Sequence, residues 1–376
     1  ALAKAGAGFL LALVWPPKFF RYRVCADMES SMPRSTLYEL LATRDWLLAD
    51  GATGTNYFAM GLQSGDAPEL WNVSHPERVA SLHRSFIDVG ADIILTNSFG
   101  GSSYRLKLHQ AQGRVAELNL AAASIARREA DQADRPVIVA GSVGPTGEIL
   151  QPVGELGSAA AEDAFADQAL ALAEGGADVI WLETMSSKEE LQAAGAGANR
   201  TGLPVVATMT FDTNGSTMMG FSPQELVDLY RETVPRLAAY GANCGVGAAD
   251  LIGTMIAMRN RADGGDILVA KANCGIPEFR DGEIQYSGTP DLMADYARLA
   301  RNVGARIIGG CCGTTPEHLA IMRKVLDNHQ PRPIPELDDV VERLGPVTAG
   351  TRACCAGRPA GSGRSEHPRR GRRRAR

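Results

Sequence analysis

The chain has 376 residues, of which 45% are hydrophobic and 22% are charged, and 41 are glycine. This composition excludes a disordered chain, a fibre and a small disulfide-linked scaffold. The net charge of −5 is unevenly spread, because residues 1–31 carry +2, residues 346–376 carry +8 and residues 32–345 carry −15. An acidic body between basic ends argues against nucleic acid as a partner.

The two ends of the chain differ from the middle. Residues 8–15 are apolar but too few to span a bilayer, and no convincing signal-peptide cleavage site follows them. Residues 346–376 are rich in proline, glycine and arginine, which is typical of disorder. We therefore expect an N-terminal extension over 1–31, one domain over 32–345 and a disordered Arg-rich tail over 346–376. We also expect a cytoplasmic protein with no membrane partner.

Eight short apolar runs recur between the two ends, each followed by a turn and a segment with helical periodicity. Near-continuous apolar runs are typical of parallel strands that are buried on both faces. Proline after a capping residue marks helix starts at Ser222-Pro223 and Thr315-Pro316. Further helices are predicted over 76–89 and 158–174. The predicted strands are 46–51, 91–99, 137–144, 179–185, 204–211, 241–245, 267–274 and 306–310.

Eight strand–helix units in about 290 residues predict an α/β protein with a (β/α)8 TIM barrel. A doubly wound sheet is the alternative, but no predicted strand is followed by the Gly-x-Gly-x-x-Gly of dinucleotide-binding folds. In a barrel the carboxyl ends of all strands meet at one face, which carries the active site. The polar residues that end these strands should therefore cluster in space.

Cysteines at the predicted strand ends are the sharpest chemical signal. Cys311 and Cys312 are adjacent, which is poor geometry for a disulfide, and glycines on both sides let the backbone approach a metal closely. Thiolates from these two residues and Cys244 would make an open zinc site with three sulfur ligands. We interpret Cys274 as a structural thiol, because buried cysteine packs as a small apolar group.

Five motifs resemble the homocysteine S-methyltransferase family over residues 37–330. They are Asp50-Gly-x-x-Gly-Thr, Thr96-Asn-Ser-Phe-Gly, Gly-Ser142-Val-Gly-Pro, Asn243-Cys244 and Gly-Gly-Cys311-Cys312-Gly-Thr. The family includes betaine–homocysteine methyltransferase, S-methylmethionine-dependent enzymes and the homocysteine module of cobalamin-dependent methionine synthase. The resemblance implies a (β/α)8 barrel that forms methionine, with zinc held by the cysteines of the last two motifs.

The resemblance also implies how homocysteine is held. Asp50 and Glu183 receive its ammonium, and the backbone near Gly51 together with Thr96 receives its carboxylate. Asn243 either orients the site beside the zinc ligands or forms a turn. A carboxylate at a buried strand end needs a cationic partner, and no lysine or arginine adjoins either acid in the sequence.

We expect the zinc-bound thiolate of homocysteine to attack an activated methyl group, because zinc deprotonates a thiol that is otherwise mostly protonated at neutral pH. The methyl donor stays open at this stage. We expect a small onium compound, with betaine as the first choice; the alternatives are S-methylmethionine and a separate methyl-corrinoid protein. Whether the chain forms a homo-oligomer also stays open.

An onium donor would favour an aromatic cage. Trp71 and Tyr104 are candidate walls, although either ring is equally suited to packing on the barrel rim. Gly100 and Thr184 stand where betaine enzymes of animal type carry tyrosine, and here both positions resemble the methionine-synthase module instead. These two differences weaken the betaine assignment.

Overall fold

The computed structural model describes residues 36–232, 237–280 and 283–358. These residues form fourteen α-helices and ten β-strands. The strands are β1 (Leu47–Leu48), β2 (Ile93–Leu95), β3 (Ile138–Val143), β4 (Val179–Met185), β5 (Val205–Met209), β6 (Ala239–Cys244), β7 (Leu268–Ala272), β8 (Pro277–Arg280), β9 (Glu283–Tyr286) and β10 (Ala305–Gly310). The helices are α1 (Leu37–Thr43), α2 (Gly54–Ala59), α3 (Trp71–Ser74), α4 (Pro76–Asp88), α5 (Ser103–Lys107), α6 (Val115–Asp131), α7 (Ser158–Glu174), α8 (Lys188–Asn199), α9 (Pro223–Glu232), α10 (Ala248–Arg259), α11 (Pro290–Val303), α12 (Pro316–Asp327), α13 (Leu337–Leu344) and α14 (Ala349–Cys355).

Eight of the strands form one parallel sheet in the order β1-β10-β7-β6-β5-β4-β3-β2. A parallel bridge between Ala49 and Ile93 joins the two ends of this order and closes the ring. The predicted (β/α)8 barrel is thus confirmed, and all eight predicted strands are present. Strands β8 and β9 form a separate antiparallel hairpin between β7 and α11.

The residues of each barrel strand alternate between two apolar environments, as the two-residue period of a strand requires. One set fills the barrel interior, and the other packs against the surrounding helices. Three leucines of α1 join the interior set and cover it from one side. The interior set includes Leu47, Ala49, Ile93, Leu95, Ile138, Ala140, Val179, Trp181, Val206, Val269 and Ile307.

Helix α14 corrects the prediction of a disordered tail from residue 346. It packs on α10, which is buried on all sides between Ala248 and Met258. Asp250 of α10 accepts hydrogen bonds from the hydroxyls of Thr348 and Thr351, at 2.9 and 2.6 Å. The packing of α14 against α10, together with these hydrogen bonds, outweighs the low hydrophobicity of this segment. Residues 346–358 therefore belong to the domain. The rest of the predicted tail and the predicted extension over 1–31 lie outside the described residues.

Replacing Thr351 by valine should destabilise the domain. The substitution keeps the shape of the side chain but removes the 2.6 Å hydrogen bond to Asp250, whose carboxylate is 5% exposed. We expect the free energy of unfolding to fall by about 1.5–3 kcal/mol, the range for hydrogen bonds to charged groups. Urea unfolding would measure it. Arg352→Ala is the control, because the side chain of this exposed arginine makes a surface ion pair with Asp338 and no other ion pair within the described residues. Equal stability of the two variants would contradict the docking of α14.

Among the described residues, no helix is both long and apolar enough to cross a membrane.

Candidate metal centre and substrate site

The three cysteines predicted to bind zinc come together at the carboxyl ends of β6 and β10. Cys244 is the last residue of β6, and Cys311 and Cys312 follow directly after β10. Their sulfur atoms all lie within 4.8 Å of one another, and Cys244 Sγ is 3.9 Å from Cys312 Sγ. Within the part of the chain that the structure describes, this is the single group of three or more His, Cys, Asp or Glu side chains that could share a metal ion.

The backbone around Cys244 is fixed in an unusual conformation. Cys244 and Thr184 have φ angles of 62° and 63°, a left-handed conformation that residues other than glycine seldom adopt. Asn243 ties them together: its Oδ1 accepts from the Thr184 N–H and its Nδ2 donates to the Thr184 hydroxyl, both at 2.8 Å. The same Nδ2 lies 3.7 Å from Cys311 Sγ. Asn243 is therefore placed to orient the cysteine group, and its role in the site stays a prediction.

Hydrogen bonds among the thiols favour a thiolate at Cys312. Cys244 and then Cys311 donate to its sulfur, and they hold the pKa of the Cys312 thiol well below its usual range. The hydroxyl of Tyr286, at the end of the β8–β9 hairpin, donates to the same sulfur and acts in the same direction. The pKa of Cys244 is raised, chiefly through its hydrogen bond with Cys311. Negative charge is thus favoured on one of three closely spaced sulfur atoms, and sulfur is the ligand type that zinc and other soft metals prefer.

Cys274 lies outside this group. It follows β7, it is 1% exposed, and burial raises the pKa of its thiol to about 11. Its Sγ packs so closely against Gly288 that an added Cβ there would lie 2.6 Å away. These contacts agree with a structural thiol.

Glu183 lies near the carboxyl end of β4, beside the cysteine group. The hydroxyl of Ser142, from β3, donates to its Oε1. Burial raises the pKa of Glu183 to about 7, and the nearby ammonium of Lys271 opposes that shift. Within the described residues its Oε2 has no hydrogen-bond partner, and the side chain is half-buried. Glu183 thus has an acceptor available for a ligand.

Asp50 has a cationic partner that the sequence reading missed. The ammonium of Lys271 lies 2.8 Å from Asp50 Oδ1, and the Leu95 N–H donates to Oδ2 at 2.7 Å. Lys271 comes from β7, more than two hundred residues further along the chain. Its one visible signal is a lysine inside the apolar run over 267–274.

Thr96 and Gly51, the residues predicted to hold a carboxylate, are both tightly packed. The Thr96 hydroxyl accepts from the Ser142 N–H at 2.9 Å and lies 2.6 Å from the Ser98 hydroxyl. A Cβ added at Gly51 would lie 2.6 Å from the carbonyl oxygen of Thr314. Glycine is therefore required where the end of β1 meets the turn after β10, and a role in substrate binding stays a prediction for both residues.

Comparison with known proteins identifies the family. A model described as homocysteine S-methyltransferase matches residues 47–326. The chain belongs to the homocysteine S-methyltransferase family. The matched segment runs from the start of β1 through most of α12, so it covers the whole barrel and all three cysteines.

Two methionine synthases resemble this homocysteine S-methyltransferase family member in sequence. The protein from Mycobacterium tuberculosis is 31% identical over 291 residues, and that from Mycobacterium leprae is 30% identical over 301 residues. These alignments cover 73% and 75% of this chain but only 24% of each methionine synthase. The chain therefore matches about a quarter of the length of these relatives.

Solved structures of the homocysteine methyltransferase MmuM from Escherichia coli share the fold over almost their full length. The oxidized form matches with a TM-score of 0.64 at 25% identity, over 77% of this chain and 98% of MmuM. The metallated form gives a TM-score of 0.63 at 25% identity, over 77% and 99% of the two chains. A related barrel of this family thus exists in a metal-bound state.

The aromatic residues suggested for a donor cage stand in the first two strand–helix connections. Trp71 is buried, with the Tyr57 ring 5.4 Å away and the Arg78 guanidinium 4.9 Å from its ring. Tyr104 lies in α5 and is half-buried. The contacts of Trp71 account for its burial by packing alone, so its role in this homocysteine S-methyltransferase family member stays a prediction.

Proposed function

We propose that this chain is a zinc-dependent methyltransferase that moves a methyl group from a small onium donor, betaine in the first instance, to the sulfur of homocysteine, and so forms methionine. The observation that carries the proposal is the group of three thiols within 4.8 Å of one another, next to Glu183, at the mouth of a barrel of the homocysteine S-methyltransferase family.

The cysteine group fits zinc on its own chemistry. Three sulfur ligands from a rigid barrel rim match an open catalytic zinc site, which keeps one position for substrate. The hydrogen bonds that favour a thiolate at Cys312 already collect negative charge there. Cys244, Cys311 and Cys312 would hold the ion. When bound, zinc would deprotonate the homocysteine thiol and supply its sulfur as the nucleophile.

The neighbouring side chains position the substrate and the ligands. Glu183, held by the Ser142 hydroxyl, accepts the ammonium of homocysteine through its available Oε2. Asn243 fixes the left-handed turn at Cys244 and directs an N–H towards Cys311. Fixing these groups before the substrate arrives lowers the entropic part of the barrier.

With betaine as donor, the reaction balances without a further reactant. A sulfur–carbon bond forms to the transferred methyl group while the nitrogen–carbon bond breaks. The electron pair of that bond stays on nitrogen, so dimethylglycine leaves as a neutral amine with its carboxylate. The homocysteine thiolate supplies the other pair, and no general base acts at the sulfur.

A second candidate is a homocysteine-activating subunit that receives methyl from a corrinoid protein. Exposed apolar side chains on the loops that follow β3, β5 and β7 favour this alternative, because apolar surface around a barrel mouth suits a docking partner. These side chains are Ile149, Val153, Met218, Met219 and Ile276. The similarity to methionine synthases is compatible with it as well.

A donor panel separates the two candidates. We expect the zinc-loaded chain to form methionine from homocysteine and betaine with no added protein. The panel also contains S-methylmethionine and dimethylsulfoniopropionate, and mass spectrometry measures methionine. If S-methylmethionine is the one donor of the panel that gives methionine, the reaction class stands and the donor is S-methylmethionine rather than betaine. Cys274→Ser serves as the matched active control. If no methionine forms with any of the three donors but does form when a methyl-corrinoid protein is added, the small-donor proposal is contradicted and the second candidate is supported.

A further inference from the structure

Lys271 is a buried cation at the centre of the substrate site. It lies in β7 on the inward-facing side, two residues after Val269 of the interior set. Its side chain is 2% exposed, and its Nζ lies 5.4 Å from the centre of the Trp181 ring. A lysine is almost never this buried without a charged partner.

The partner of Lys271 is Asp50, at 2.8 Å. Because the Leu95 N–H also binds this carboxylate, both oxygens of Asp50 are already engaged by the protein. Burial alone would lower the pKa of Lys271, but the charges of Asp50 and Glu183 outweigh burial and raise it. The lysine is therefore charged, and both oxygens of the fully buried Asp50 carboxylate have protein partners before a substrate arrives.

Glu183 differs from Asp50 both in its hydrogen-bond partners and in its burial. One of its oxygens is held by Ser142, while the other has no hydrogen-bond partner within the described residues, and its side chain is half-buried rather than fully buried. The three charged groups together carry a formal charge of −1, which the ammonium of one amino-acid substrate would neutralise.

We propose that Lys271 is a positioning and specificity residue, which occupies Asp50 in a permanent ion pair and so leaves Glu183 as the one carboxylate that receives the substrate ammonium. The inference rests on the proposed function, and it revises the expectation that Asp50 and Glu183 share the ammonium. Without Lys271, two carboxylates would compete for the substrate, and the sulfur would reach the cysteine group in only part of the bound molecules.

The test compares homocysteine with 4-mercaptobutanoate, which has the same thiol and carboxylate but no amino group. The ratio of their kcat/KM values reports recognition of the ammonium and does not change with the fraction of folded protein. We expect the wild-type chain to prefer homocysteine by about 100-fold or more, since a site built for a polar group rejects the analogue that lacks it.

Four variants distinguish the roles. Glu183→Gln should reduce the ratio at least tenfold, whereas Asp50→Asn/Lys271→Met should keep it within about threefold, because the pair is removed as a unit. Lys271→Met alone should lower kcat for homocysteine at least tenfold, and the added Asp50→Asn should restore it. Asp50→Asn/Lys271→Gln, which also removes both charges, should keep the ratio and provides a second measurement if the first double variant does not fold. Each variant is checked for zinc content.

A tenfold or larger fall of the ratio in either double variant would show that Asp50 receives the ammonium directly, and would overturn the inference. Failure of Asp50→Asn to restore kcat to Lys271→Met would also overturn it. Calorimetric titration of homocysteine into the zinc-loaded wild-type chain distinguishes a failure of the proposed function from a failure of the inference. If homocysteine does not bind, both the proposed function and the inference are refuted. If it binds but the ratio of kcat/KM values falls tenfold or more in a double variant, the inference alone is refuted.

Discussion

Cys311→Ser is expected to abolish metal retention and, with it, methyl transfer to homocysteine. Cys311 Sγ lies within 4.8 Å of the other two sulfur atoms, so its removal leaves two thiols for an ion that takes three protein ligands in a catalytic site. A serine hydroxyl does not replace the ligand, because it stays protonated at neutral pH where a metal-bound thiol is deprotonated. Metal analysis after gel filtration in a weak chelator measures the loss.

Cys274→Ser is the matched control for that experiment. It changes a thiol in the same part of the barrel, but Cys274 lies outside the group and its sulfur packs against Gly288. This variant should keep about one zinc per chain, as one open site requires. Retention of zinc by Cys311→Ser, or its loss from Cys274→Ser alone, would show that the ligand set is wrong.

Glu183→Gln should produce the second large effect, on homocysteine rather than on metal. The substitution keeps the shape and the hydrogen bond to Ser142 but removes the charge that faces the substrate ammonium. We expect kcat/KM for homocysteine to fall about 10- to 100-fold, because hydrogen bonds between charged groups contribute about 1.5–3 kcal/mol. Zinc content should not change. Glu174→Gln, an exposed acid at the end of α7, is the control.

The same variant gives a pH test with a defined sign. Burial raises the pKa of Glu183 to about 7, so the carboxylate takes up a proton as the pH falls through that value. The protonated acid has no charge to pair with the ammonium, and kcat/KM of the wild-type chain should decline below about pH 7. Glu183→Gln should lack this decline. An unchanged acidic limb in the variant would assign the titration to another group.

The barrel could be predicted from the sequence because strand burial leaves a direct mark on composition. Parallel strands covered on both faces are apolar along most of their length, and eight such runs recur along the chain. The cysteine group was predictable for the same reason, since a barrel brings the ends of β6 and β10 to one face. Strand bounds were less well predicted: the runs at 46–51 and 91–99 shorten to Leu47–Leu48 and Ile93–Leu95. Their last residues turn away to form the site.

Partners that come from distant strands could not be predicted. Lys271 meets Asp50 only because β7 and the end of β1 face the same interior, and no local pattern shows which acid a buried lysine will pair with. Tyr286 reaches Cys312 through a hairpin that the sequence reading did not include. The resemblance to the family supplied the roles of Asp50 and Glu183, but it did not supply the cation between them.

The tail was misread because its order depends on another helix. Residues 349–355 form a short helix, and their sequence shows no apolar face that runs along its length. The signal lies in α10, which is apolar all round its surface and must therefore be covered on every side. Gly253 of α10 confirms the close approach, since a Cβ there would meet the Thr351 side chain at 2.3 Å.

The apolar interior bears on how the chain would acquire the metal proposed for its three cysteines. The side chains that fill the barrel, from Leu47 to Ile307, pack against one another and against α1 without involving any of the three cysteines. For the proposed zinc site, folding should therefore be complete before an ion arrives, unlike in small domains that fold around their metal. If the proposed zinc site is the active centre, an empty chain would be a ready acceptor, and its active fraction would follow the supply of metal without new synthesis.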